Sequence, residues 1–118
     1  MVHKIATIIV PVKKRFWEET LGLFHDKLGL PMKEEADNYI EFCNENSSIT
    51  LIKVKDNDVK AVPGDTGIMF ECPKLDHTIK EMESRSLKFV SKKEKTVLGT
   101  SIKFQDPNGN TYHLLQRK

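Results

Sequence analysis

The order of predicted elements runs through the chain twice, and a duplicated unit limits the fold more than any other feature of the sequence. Residues 5–10 form a short β-branched run ahead of Pro11 and predict a strand. Residues 13–28 place Trp17, Leu21, Phe24 and Leu28 on one stripe and Lys14, Glu18, Glu19, Asp26 and Lys27 elsewhere, the pattern of a helix buried on one side. Gly29 stands where a left-handed cap closes such a helix, with Pro31 beyond it. Strand-like stretches follow over 32–36, 38–43 and 48–54, with Asn44-Glu45-Asn46-Ser47 as the turn between the last two. Residues 56–65 hold Pro63-Gly64 and are polar apart from Val59, Ala61 and Val62, which predicts a linker. The series then restarts: a strand over 67–72, a helix over 75–86 with Leu75, Ile79 and Met82 on one face, and strands over 88–92, 100–105 and 110–116. Val10 and Cys72, Ile40 and Ile102, and Phe42 and Phe104 match at one common spacing.

Composition narrows the function classes. Nineteen Lys and Arg against seventeen Asp and Glu leave a net charge of +2, too near neutral for a nucleic-acid-binding footprint. The basic clusters Lys13-Lys14-Arg15 and Lys92-Lys93-Glu94-Lys95 therefore read as solvated surface. A chain of 118 residues, 38% hydrophobic, can fold without metal or disulfide staples. Cys43 and Cys72 form no CxxC pair, no apolar run approaches a membrane span, and the start Met1-Val2-His3-Lys4 precedes no cleavage site. A cytoplasmic protein with no membrane partner is the expectation.

Strand alternation separates two faces. Ile8, Val10, Ile49, Leu51, Ile68, Phe70, Cys72, Tyr112 and Leu114 form an apolar set that should pack against the helices. The opposite parity is mixed, with His3, Ile5, Thr7 and Ile9, then Ser48, Thr50 and Ile52, then Met69 and Glu71, then Thr111, His113 and Leu115. A partly apolar face with a few placed polar groups is where a small molecule binds. Glu41 and Lys103 occupy matching places on this parity and can orient a zwitterionic ligand, or form an ion pair of little consequence. His113 stands out because imidazole titrates near working pH. Trp17 belongs to the core stripe, Phe16 lies off it, and His25 and His77 should face solvent.

Phe24-His25-Asp26-Lys27-Leu28-Gly29-Leu30-Pro31 resembles the segment closing the first helix of the vicinal oxygen chelate family. Phe104-Gln105-Asp106-Pro107-Asn108-Gly109-Asn110, followed by Tyr112, Leu114 and Gln116, is similar to that family's C-terminal motif. The family includes glyoxalase I, extradiol dioxygenases, fosfomycin-modifying transferases and bleomycin-binding resistance proteins. The resemblance covers nearly the whole chain. It implies an α+β fold of two βαβββ modules, forming an eight-stranded open, curled sheet with helices on the convex face, and usually a homodimer. Module one would span 1–55, the linker 56–65 and module two 66–118. Ser86 occupies a place where the family commonly has glycine.

The resemblance also implies four metal-ligand positions, which fall here at Ile5, Thr50, Gly67 and His113. Isoleucine and glycine offer no donor atom and threonine a poor one, whereas a catalytic divalent ion takes about three protein ligands. No metal or other cofactor is therefore expected. The reading is a metal-independent small-molecule-binding protein that sequesters a ligand in its concave groove, lined by Ile5, Thr7, Ile9, Ile52, Met69 and Leu115, with Glu41, Thr50, Glu71, Lys103 and His113 orienting it. The alternative is a glyoxalase-like lyase or isomerase, or a dioxygenase-like enzyme, with a displaced metal on His3, Glu71 and His113. Ligand identity stays open.

Overall fold

The computed structural model describes residues 1–44 and 47–118, without the side chains of Cys43 and Asn44. Part of the expected turn, Glu45 and Asn46, thus lies outside the described residues. The chain divides into two compact units, Met1–Val62 and Pro63–Lys118. Each carries one four-stranded mixed sheet, the α+β arrangement expected.

In the first unit, strands β1 (Ile8–Lys13), β2 (Met32–Ala36), β3 (Tyr39–Asn44) and β4 (Ser47–Val54) are ordered β1-β4-β3-β2. β1 and β4 run parallel and the other neighbours antiparallel. Pro11, expected to end the first strand, lies inside it opposite Ile52. An edge strand tolerates proline because alternate N–H groups point away from the ladder. Between β1 and β2 the chain makes a 3-10 turn (Lys14–Phe16), the short helix α1 (Trp17–Gly22) and a π-helical turn (Leu23–Lys27). The Leu28 N–H closes that wide turn on the Leu23 carbonyl at 2.9 Å. Widening the turn brings Leu23 and Phe24 together into the core, where regular periodicity predicts only Phe24; Leu21 and Leu28 are half-buried. Trp17, Phe24, Val10, Val12, Ile40, Phe42, Ile49 and Leu51 fill this core, and Phe24 meets Phe42 edge-on at 5.8 Å. Ala61, assigned to the linker by its polar neighbourhood, is buried in a 3-10 turn (Val59–Ala61) capped by Asp58.

In the second unit, β5 (Asp65–Glu71), β6 (Glu94–Lys95), β7 (Gly99–Gln105) and β8 (Thr111–Arg117) are ordered β5-β8-β7-β6, with β5 and β8 parallel. The strand expected over 88–92 reduces to a single bridge from Phe89 to Phe104, and the true edge strand is Glu94–Lys95. Beside that bridge the Val90 N–H still bonds the Lys103 carbonyl at 2.9 Å, but the Lys103 N–H goes to the Ser91 side-chain oxygen, so a side chain takes the place of one backbone rung. Phe104 stacks on Tyr112 at 5.5 Å, with Phe70 against both, forming the aromatic centre of this core. Helix α2 (Leu75–Ser84) ends in a Schellman cap: Leu87 N–H reaches Met82 O and Ser86 N–H reaches Glu83 O, both at 3.0 Å. Ser86 sits in the left-handed region at φ 68°. Ser86→Gly is expected to stabilise the protein by about 1 kcal/mol, read as a rise in the urea midpoint at unchanged slope.

Strand register corrects the alignment of the two halves. Ile40 faces Leu51 and Ile102 faces Leu114, so those matches hold. Leu51 then pairs with Val10, and Leu114 with Phe70. Val10 therefore corresponds to Phe70, not to Cys72.

Candidate functional site

The same register defines the helix-free face of each sheet, because directly paired residues project to one side. In the first unit Ile9, Thr50 and Glu41 form one cross-strand row, and Pro11, Ile52 and Tyr39 the next. Ile9 is 57% exposed. Thr50 and Ile52 are half-buried. The Glu41 side chain is 16% exposed and lies 3.9 Å from the ammonium of Lys33, the residue bulged out of β2 pairing. Tyr39 donates its hydroxyl to Glu34 at 2.9 Å. Thr7, just ahead of β1, has its hydroxyl 2.8 Å from that of Thr50. Ile5 precedes the strand and is 75% exposed, outside either row.

The second unit repeats the rows with other side chains. Met69, His113 and Lys103 occupy the places of Ile9, Thr50 and Glu41. Glu71, Leu115 and Ser101 form the next row, in which Leu115 is only 3% exposed and Glu71 is paired with the Arg117 guanidinium at 2.7 Å. The pairing of β5 with β8 is interrupted between Asp65 and Met69. In that bulge Gly67 takes φ 71°, a conformation that suits glycine, and its N–H bonds Asp65 at 2.9 Å. Thr66 donates to the Thr111 carbonyl and accepts from the Ile68 N–H, so the bulge is held by its own side chains.

This bulge carries the Asp65 carboxylate to His113, whose Nε2 lies 3.1 and 3.2 Å from its two oxygens. The Gly67 N–H first, and His113 and Lys103 after it, hold the Asp65 carboxyl below the usual carboxylate range, against slight burial. The His113 side chain is 12% exposed, and its Nδ1 is buried with no hydrogen-bond partner among the described residues. Asp65 was hidden from sequence reasoning because it falls in the polar stretch assigned to the linker. The turn-forming Asp-Thr-Gly spacing was its only local signal.

The bulge decides how the implied metal-ligand positions compare between the two units. Gly67 lies inside it and has no counterpart in the unbroken β1, while Asp65, paired with Thr111, answers to Thr7, and His113 answers to Thr50. In the first unit Ile5 brings no donor atom and Thr50 is bonded to Thr7; in the second Gly67 brings no side chain and His113 is already bonded to Asp65. Neither pair supplies the ligands of a divalent ion. Of the displaced set, His3 is exposed outside any strand, Glu71 is engaged by Arg117 and His113 by Asp65. Among the described residues no three His, Cys, Asp or Glu cluster in a way that could hold a metal. Cys72 is buried and its thiol is pushed up by that burial, which suits packing rather than nucleophilic chemistry.

Comparison with known proteins agrees with this architecture. Residues 13–114 match the model of the Glyoxalase/Bleomycin resistance protein/Dioxygenase superfamily. YetH of Bacillus subtilis (strain 168), an uncharacterised protein, is 27% identical over 120 residues, covering 97% of this chain and 98% of YetH. TnmS3, an antibiotic binding protein from Streptomyces sp. CB03234, superposes with a TM-score of 0.76 at 15% identity, over 99% of this chain and 98% of its own. The genomically encoded fosfomycin resistance protein FosX of Listeria monocytogenes superposes with a TM-score of 0.77 at 13% identity, over 100% of this chain and 96% of its own. The repeated unit, the C-terminal motif and the matched family model together establish that the chain belongs to the Glyoxalase/Bleomycin resistance protein/Dioxygenase superfamily.

Proposed function

We propose that this chain is a metal-independent small-molecule-binding protein, which sequesters its ligand against the helix-free faces of its sheets. The observation that carries this reading is the chemistry at the family's implied ligand positions: Ile5 and Gly67 bring no donor atom, Thr50 is bonded to Thr7, and His113 is bonded to Asp65. In the first unit Thr50 stands beside Ile9 and Glu41, with Ile52 in the next row, and in the second His113 stands beside Met69 and Lys103; on each face the apolar side chains would hold a ligand and Glu41, Lys103 and His113 would orient it. TnmS3, which shares the fold, is an antibiotic binding protein, and binding without turnover is the corresponding role here. The working form is a cytoplasmic homodimer, to be checked by light scattering on the purified protein. No helix among the described residues is long and apolar enough to cross a membrane.

A thermal-shift panel of amphipathic small molecules, including natural-product antibiotics, tests the reading. A true ligand at 100 times its Kd adds about 2.7 kcal/mol of stability. Ile9→Glu, at an exposed position, should leave the unliganded protein within about 0.5 kcal/mol of wild type and weaken the ligand at least tenfold. A panel with no stabilising compound contradicts the reading. So does metal-dependent turnover abolished by His113→Ala, which would establish the enzyme alternative.

A further inference from the structure

The bulge in β5 has no counterpart in β1, which pairs with β4 in unbroken register. Its result is local: it brings a carboxylate to one ring nitrogen of His113. At the matching place in the first unit, the Thr50 hydroxyl meets another hydroxyl, that of Thr7. A carboxylate accepts hydrogen bonds and cannot donate them, so Nε2 must carry the proton that joins the pair. The hydrogen bond made by one ring nitrogen sets the state of the other. In the neutral ring Nδ1 is then an acceptor. It is shielded from water and unpartnered among the described residues, a costly condition for a polar atom.

We propose that Asp65 is a positioning residue for His113: its carboxylate keeps the proton of the neutral ring on Nε2, so that Nδ1 accepts a hydrogen bond from an N–H or O–H group of an otherwise apolar ligand whose binding parts the side chains that cover this atom. The proposal rests on the binding function proposed above and specifies the ligand chemistry at one point of it. Three features support it. Asp65 is itself fixed, with one oxygen accepting the Gly67 N–H at 2.9 Å, so the carboxylate is held in place before any ligand arrives. Met69, the neighbour of His113 on β5, supplies apolar contact. Lys103, its neighbour on β7, is a cation that cannot serve as an acceptor, so a donor on the ligand finds its acceptor in His113. A carboxylate behind an imidazole also orients metal-bound histidines. Here, however, the ring's two row neighbours are a thioether and an ammonium, which do not complete a hard or borderline metal site.

The test uses the full chain labelled with 15N-histidine and 13C-methyl methionine. Long-range 1H–15N correlations should show His113 protonated at Nε2, with that proton exchanging slowly with water. Asp65→Ala should make the exchange at least tenfold faster, while the Met69 methyl signal keeps its folded position. Phenol and toluene, which share a ring and differ in one donor, then serve as probes. Both should move the Met69 methyl signal, only phenol should move the Nδ1 resonance, and Asp65→Ala should weaken phenol at least fivefold while leaving toluene unchanged. Protonation at Nδ1 in the wild type overturns the proposal, and this arm decides even if Asp65→Ala fails to fold. Both probes moving Met69 with Nδ1 fixed overturns the proposal and leaves the binding function standing. Silence at Met69 with both probes overturns the two together. Displacement of Nδ1 by equimolar Zn2+ with loss of phenol binding overturns it in favour of a metal.

Discussion

Gly99→Ala is expected to destabilise the protein by about 4 kcal/mol or more, beyond the range of ordinary substitutions. Gly99 opens β7 at φ 150°, and a Cβ there would stand 2.0 Å from the Gln116 carbonyl oxygen and 2.9 Å from the Arg117 Cα. Both obstacles are backbone atoms of β8, the strand at the centre of its sheet pairing, so no rotamer change relieves the clash. The turn that precedes Gly99 leaves little freedom either, because Thr96 N–H bonds the Gly99 carbonyl at 2.7 Å and the Thr96 hydroxyl bonds it at 3.0 Å. Gly64→Ala is the control: a Cβ there meets nothing within 4 Å, and the change should stay within about 0.5 kcal/mol. Urea denaturation of the pair checks both, and a small effect at Gly99 would show that the β7–β8 edge yields.

The second large effect is expected at Asp106. Its carboxylate is buried and accepts the Asn110 N–H at 2.9 Å, the Asn110 side-chain N–H at 3.1 Å and the Tyr112 hydroxyl at 2.7 Å. Asp106→Ala strands those donors in the interior at about 1–3 kcal/mol each, so a loss of about 3–5 kcal/mol is expected. Burial pushes the Asp106 carboxyl up, outweighing the Tyr112 and Asn110 bonds that favour its charged form. A carboxyl whose folded value is raised stabilises the protein fully below its ordinary 3.8, and the contribution fades as pH rises through the folded value. The stability gap between wild type and Asp106→Ala should therefore be widest in acid and narrow as pH is raised from 4. A gap that widens with rising pH would show that the three donors win instead.

Much of this architecture was legible in the sequence because the deciding signals are local. The core faces follow from alternation in 49–51 and 112–114, and the Asp106–Asn110 turn from its own residue types. The departures have a common cause: each depends on what the rest of the sheet does. Pro11 reads as a stop unless β1 is known to be an edge, and taking it as one matched Val10 to Cys72 instead of to Phe70. The π turn at Leu23–Lys27 is invisible to a fixed helical period. Asp65 looks like linker until the bulge is seen to fold its carboxylate onto His113. The place of His113 on the helix-free face, opposite Met69 and Lys103, was by contrast already given by strand parity.

The claim that ligand binding here proceeds without a metal is tested most directly by elemental analysis of the purified native protein, paired with melting in the presence and absence of EDTA. The account predicts well under one equivalent of Zn, Ni, Mn or Fe per chain and a Tm unchanged by the chelator. About one equivalent of a single metal, with a Tm that falls when EDTA strips it, would contradict it.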